Sequence, residues 1–365
     1  MAAHERLQLD FIDGLRALAA LYIVFHHCFV VADYSPPGLS FFEHGHDVVA
    51  VFIAISGFCL ALPLAQQGDW KLQTRRFFRR RARRILPPYF ATLVFALLIA
   101  LAWSYRSYPQ DHAGVRITWL SVVSHIFLFQ NWIPADVFTL DGPLWSIAVE
   151  CQIYLVFPLL VLLWRRTGKW AALLITFVVA HGLLYLVHHR GSVNFLFLFS
   201  EGVLGAELAF SNQCKRWLGP GILLCLIGYL LTDQYRRDIF TGLGISLLMT
   251  YLAQNREHWG NRLLGWKPLA WIGTFSYSIY LLHSFFQVLV HRWAFSAGVK
   301  SLTESRPAML ALMVFLVSPI AVVASYGFHL LFERPFINQA RKRAEERFAP
   351  GTVLSAITAQ VELRP

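Results

Sequence analysis

A chain of 365 residues that is 56% hydrophobic and only 15% charged, with a mean hydropathy of +0.50, is too apolar for a water-soluble domain. Its formal net charge of +11 invites a nucleic-acid reading, but the basic residues gather between apolar runs, where lipid headgroups and cytosolic anions lie, so no nucleic-acid partner is expected. The expected class is all-α: a polytopic integral membrane protein whose main partner is the lipid bilayer.

Apolar runs without strand alternation predict about ten transmembrane helices, near 12–33, 47–66, 85–103, 143–164, 170–188, 192–210, 218–232, 238–253, 268–290 and 307–332. The first run, DFIDGLRALAALYIVFHHCFVVA, carries Arg16, His26 and His27. Ionisable side chains inside a span are costly enough to point to function. The plainer readings are an arginine that snorkels and a histidine that bonds a neighbouring helix. Geometry weighs against them. The eleven steps from Arg16 to His27 end about 20° past three full turns, so both lie on one face roughly 16 Å apart, with His26 about 80° away. Asp13 shares the Arg16 face at the helix mouth.

In the second run, AVFIAISGFCL, Ser56, Gly57 and Phe58 lie mid-span, where small residues mean close helix packing or backbone near a substrate. The connection KLQTRRFFRRRARRILPPYF then holds eight basic residues between Lys71 and Arg84. It reads as a topology determinant against anionic lipid. Its sharper reading is a polyphosphate site: Arg81 and Arg84, one turn apart ahead of Pro87 and Pro88, would be held at a helix start. In the fourth run, GPLWSIAVECQIYL, Glu150 lies about 12 Å deep. His283, in SYSIYLLHS of the ninth run, reaches a similar level, so three titratable groups from three helices converge in depth with His27. Glu201, in FLFSEGVLGAEL, is also mid-membrane, either as a second site residue or as a paired buried carboxyl. His44 and His46 fall in an outer loop and read as solvated. The five cysteines show no paired spacing, so neither a metal site nor a disulfide is expected.

With the N-terminus inside, 23 Lys and Arg fall in the inner segments against 8 in the outer loops, which predicts cytoplasmic N- and C-termini. No basic leader or cleavage pattern precedes the first run, so no signal peptide is expected. Residues 1–336 read as one transmembrane domain. Residues 337–365, with NQARKRAEERF from Asn338, read as a cytoplasmic tail with a short amphipathic helix.

Taken in order, these residues resemble the acyltransferase family 3 membrane proteins, bacterial O-acyltransferases that modify polysaccharides, lipopolysaccharide, peptidoglycan and some antibiotics. The resemblance runs from about Leu9 to Phe336. It rests on the Arg, ten residues, His pattern of DGLRALAALYIVFHH, which selects Arg16 and His27, then on SGF at 56–58, RRARRILPPYF, PLWSIAVECQIYL, SYSIYLLH and FERPF. Two departures stand out. Where the family often has a second acidic residue after Glu150 this chain has Cys151, and the Asp that many members carry before SGF is absent or replaced by Asp47. The extracytoplasmic hydrolase-like domain fused to some members is not expected here.

The resemblance implies an acyl-CoA donor on the cytosolic side, most often acetyl-CoA, and an acceptor hydroxyl on a carbohydrate at the outer face of a bacterial cytoplasmic (inner) membrane. On that reading Arg81 and Arg84, with Arg16, hold the CoA phosphates, and the pantetheine arm lies along the Arg16–His27 stripe. His27 takes the acceptor proton as general base or carries the acyl group itself, and Glu150 orients its imidazole. Asp13, Ser56, His283 and Glu201 are further substrate-site candidates. The rival reading is a transporter or channel with a proton or anion path through Arg16, His27 and Glu150. An acyltransferase serving a cytosolic or inner-leaflet acceptor is the other alternative. The acceptor sugar, the acyl chain and the oligomeric state are not specified by the sequence.

Overall fold

A computed structural model describes residues 9–102, 117–187, 192–211 and 215–337. Cys214 and all but the first residue of the predicted tail lie outside this range. The described residues form helices and no strand. In chain order these are α1 (Asp10–Ala32), α2 (Gly45–Gln67), α3 (Thr74–Ala102), α4 (Trp119–Ile126), α5 (Leu144–Thr167), α6 (Lys169–Leu186), α7 (Phe195–Ala209), α8 (Leu218–Leu231) and α9 (Gln234–Gln254). They continue with α10 (Trp259–Leu264), α11 (Lys267–Thr274), α12 (Ser276–Ser296), α13 (Lys300–Thr303) and α14 (Arg306–Ile337). Six of them, α1, α2, α3, α5, α6 and α14, are long and apolar enough to cross a membrane. The other four predicted spans fall on α7 and α8, with 15 and 14 residues, on α9, which opens with the polar QYRRD, and on the α11–α12 pair.

Two predicted boundaries are corrected. The basic segment is not a loop leading to a helix start: α3 begins at Thr74 and runs through Arg81, Arg84, Pro87 and Pro88. Arginine and alanine are good helix formers, so the arginine-rich segment extends the apolar helix by three turns, and the prolines each remove only one internal hydrogen bond. The ninth predicted span is likewise two helices, interrupted at Phe275, whose N–H bonds to Ile272 O (3.2 Å).

Glycines decide which helices touch most closely. A Cβ at Gly57 would stand 2.1 Å from Phe199 O, and one at Gly202 would stand 2.1 Å from Ala54 O, so α2 and α7 meet backbone to backbone. At the start of α1, a Cβ at Gly14 would stand 1.8 Å from Leu264 O, and one at Gly273 2.0 Å from Asp13 O. These contacts seat α1 against α10 and α11. α14 contains two wide π turns, Met313–Val317 and His329–Glu333. The second aims the buried Glu333 at α12, where Oε2 accepts from Ser278 Oγ (2.7 Å) and from His329 Nδ1 (2.8 Å). The FERPF segment thereby fastens α12 just beyond its break. Outward-facing Leu155, Leu159, Val178, Phe315 and Val323 remain exposed, as lipid-facing side chains do.

Candidate active site

A cavity of about 100 Å³ opens where α1, α2, α3, α5 and α12 meet. Each helix brings one face to it. From α5 come Ser146, Glu150 and Tyr154, spaced by four and therefore stacked on one stripe. α2 supplies Val49, Ile53, Ser56 and Cys59, α3 supplies Arg81 and Arg84, and α1 supplies Arg16. Ser276, Tyr277 and Tyr280 come from the first turn and a half of α12, so the break at Phe275 points a helix N-terminus into the cavity.

One end of the cavity is strongly cationic. Arg16 donates to Asp13 Oδ1 and Cys59 Sγ, both at 3.4 Å. The Arg81 guanidinium lies 5.8 Å from the centre of the Tyr154 ring, and its buried Nε has no hydrogen-bond partner. Neither Arg81 nor Arg84 has an ion-pair partner among the described residues. Glu150 is the counter-charge in the wall: its Oε1 accepts from Ser56 Oγ (3.0 Å) and from the Tyr154 hydroxyl. Guanidinium groups without a carboxylate partner beside a helix N-terminus have the charge and donor geometry that a phosphorylated ligand would require.

At the other end Tyr280 joins the cavity to a pair of histidines. Its hydroxyl bonds Ser146 Oγ (2.6 Å), and its ring centre lies 6.0 Å from that of His283. His283 Nδ1 lies 3.0 Å from Ile279 O. A carbonyl only accepts, so Nδ1 carries the hydrogen and Nε2 has the lone pair. His27 Nδ1 lies 3.0 Å from that Nε2 and 3.0 Å from Ile23 O, so one N–H serves two acceptors. The hydrogen on His27 is therefore on Nδ1, which leaves Nε2 free to accept a proton. His26, off this face as its position predicts, bonds Phe42 O through Nδ1 (2.7 Å) and packs on Gly45.

The structure thus brings Arg16, Asp13, Ser56, Glu150, Arg81 and Arg84 together around the cationic end and pairs His27 with His283 one layer away. Four expectations change. Glu150 bonds Ser56 and Tyr154, and the partner of His27 is His283. The Arg16–His27 stripe of α1 is no open track, because Ala20 between them is fully buried against Phe275 and Ile279. Glu201 stands apart, 1% exposed between α7 and α9, with Oε2 filling the space beside Gly242. His46 is on the first turn of α2, bonded to Asp238 (3.1 Å), where a solvated loop histidine was expected. Cys59, Tyr154, Tyr277 and Tyr280 were not anticipated, although the spacing Ser146, Glu150, Tyr154 in the sequence already marks one polar stripe.

Comparison with known proteins gives a consistent answer. The profile described as acyltransferase domain matches residues 9–330. The peptidoglycan O-acetyltransferase OatA of Listeria monocytogenes is 26% identical over 77% of this chain and 49% of its own length. The putative peptidoglycan O-acetyltransferase YrhL of Bacillus subtilis is 25% identical over 74% of this chain and 47% of its own. The acyltransferase MdmB of Streptomyces mycarofaciens is 27% identical over 94% of this chain and 95% of its own. The chain spans about half the length of the first two relatives. No solved structure matches it.

Proposed function

Since the chain belongs to the acyltransferase domain family, we propose that it is a multi-pass membrane O-acyltransferase of a bacterial cytoplasmic membrane. It moves an acyl group, acetyl in the first instance, from cytosolic acyl-CoA to a hydroxyl of a cell-envelope carbohydrate. Relatives named as peptidoglycan O-acetyltransferases support the acceptor class. One observation carries the reading: Arg16, Arg81, Arg84 and the α12 N-terminus surround one end of a cavity whose other wall, Tyr280, abuts His283, and His283 holds His27 through Nδ1 so that the His27 Nε2 is left unprotonated.

In this scheme the arginines bind the donor's phosphates, and Glu150 with Tyr154 and Ser56 keeps the guanidinium groups spaced and oriented. The acyl thioester lies in the cavity toward Tyr280. His27 Nε2 takes the proton of the acceptor hydroxyl as its oxygen bonds to the acyl carbon. The carbon–sulfur bond then breaks, and the departing thiolate receives the proton from His27. One ester and one CoA thiol result. His283 accepts from His27 Nδ1 throughout, a bond that strengthens when His27 becomes a cation. The excess of Lys and Arg in alternate connections supports ten spans with the arginine mouth on the cytosolic side.

The test is donor kinetics in vesicles of known orientation, with acetyl-CoA on the arginine side and the acceptor opposite. Arg81→Gln with Arg84→Gln should raise the donor KM and leave the acceptor KM nearly unchanged, as loss of uniform binding does. An unchanged donor KM refutes the phosphate site. Transfer only when donor and acceptor share the cytosolic side would assign the enzyme a cytosolic or inner-leaflet acceptor.

A further inference from the structure

The cavity-lining face of α2 does not stop at the cavity. His46, Val49, Ile53 and Ser56 fall within an arc of about 80° on that helix, and the last three already line the wall. His46 is the next residue of the stripe, one turn closer to the histidine end. Gly45 shows the same level, because a Cβ there would stand 2.4 Å from the His26 imidazole, whose ring centre is 5.0 Å from that of His27.

His46 Nε2 faces Asp238 Oδ2 at 3.1 Å. A carboxylate accepts, so Nε2 carries a hydrogen and Nδ1 is the ring nitrogen left to meet a ligand. Asp238 is 2% exposed and held by Asn194 Nδ2 (2.9 Å), whereas the His46 side chain is 32% exposed. The imidazole is thus the accessible end of a buried polar group. Beside it stands Trp145, its ring within 8° of parallel at a centre distance of 6.3 Å, and braced by the fully buried Phe195 at 5.9 Å. A tryptophan that merely anchors a helix at the lipid interface turns its ring outward; this one packs within the bundle. The next residue, Ser146, bonds Tyr280 on the cavity wall.

A half-buried indole face beside a carboxylate-oriented imidazole suits a pyranose, whose ring C–H bonds stack on an aromatic face while its hydroxyls seek fixed polar atoms. We infer that Trp145, His46 and Asp238 form the seat of the acceptor sugar, holding its ring at the histidine end of the cavity so that one hydroxyl meets His27. This rests on the proposed transfer to carbohydrate, but the binding step is measured without any donor.

Chitotetraose is titrated onto the full chain in nanodiscs, and saturation transfer to the sugar ring protons is read by NMR. Wild type should bind it. Trp145→Ala and His46→Gln should each weaken binding by about tenfold, the scale of losing a central anchor, and Trp145→Phe, which keeps a ring, should retain most of it. Size-exclusion profiles establish that the variants are folded. Equal affinity in wild type, Trp145→Ala and His46→Gln, or no binding by wild type at millimolar chitotetraose, overturns the seat. The donor arm is read separately as protection of Cys59 from a maleimide by acetyl-CoA. Sugar binding without such protection keeps the seat and overturns the donor reading; protection without sugar binding does the reverse.

Discussion

Replacing His283 with alanine separates His27, the proposed base, from the group that holds it. His27 Nδ1 donates to both His283 Nε2 and Ile23 O, each at 3.0 Å, so the tautomer of His27 survives the substitution through the backbone bond. What is lost is the acceptor that stabilises His27 as it gains charge. A hydrogen bond to a charged group contributes about 1.5–3 kcal/mol, which at ~1.4 kcal/mol per factor of ten is roughly a 10- to 150-fold fall in kcat. Loss of the proposed base itself, in His27→Ala, should cost about 10²–10⁴-fold. The assay is acetyl-CoA-dependent ester formation with kcat and donor KM measured separately on protein that elutes as wild type. His283→Asn, whose amide oxygen can accept the same bond, should recover part of the loss. A His283→Ala defect confined to donor KM, or one as large as that of His27→Ala, refutes this division of labour.

Two further outcomes test the frame around the site. Gly57→Ala puts a methyl 2.1 Å from the Phe199 carbonyl, where backbone and not a flexible side chain must yield; overpacking of about 1–3 kcal/mol should lower the thermal midpoint in detergent. Gly219→Ala, with nothing within 4 Å, should leave it unchanged, and equal behaviour of the two refutes the backbone contact of α2 with α7. Burial pushes the Asp141 carboxyl, in the loop before α5, up to about 7, with a hydrogen bond from Ser284 opposing that rise. Because the folded value lies above the unfolded one, the folded state holds its proton longer, and stability is lost as pH rises from about 4 to about 7. Asp141→Asn should therefore match wild type near pH 4 and exceed its thermal midpoint by a growing margin toward pH 8. A difference that does not change with pH contradicts this.

Helical period made much of the site legible in advance. It places Arg16 and His27 on one face and His26 off it, and counting depth along three spans brings His27 and His283 to one level, where the structure bonds them. Depth says nothing about lateral neighbours. Glu150, counted to that level, stands instead at the arginine end, where it bonds Ser56 and Tyr154, while His27 faces α12. The same blindness applies to Glu201, whose surroundings are set by Gly242 of a helix forty residues on. The interruption at Phe275 carries no proline that would announce it, and the Glu333 that bonds Ser278 just beyond it comes from another helix. A shift of two residues in the helix boundary is enough to make the half-buried, carboxylate-bound imidazole of His46 read as a loop residue.

The bond between His27 and His283 spans 256 positions of the chain, and that separation governs how the protein is made. At about 5–20 residues per second of synthesis, roughly 13–50 s pass between the emergence of the first helix and that of the residue that completes it. During that interval α1 resides in the bilayer with one imidazole lacking its eventual partner, and α10 and α11, which seat its first turn, do not yet exist. A ribosome that stalls before α12 leaves a membrane-inserted helix bearing a polar stripe with nothing to face. Such a fragment presents unsatisfied surface of the kind that cellular chaperones and proteases triage.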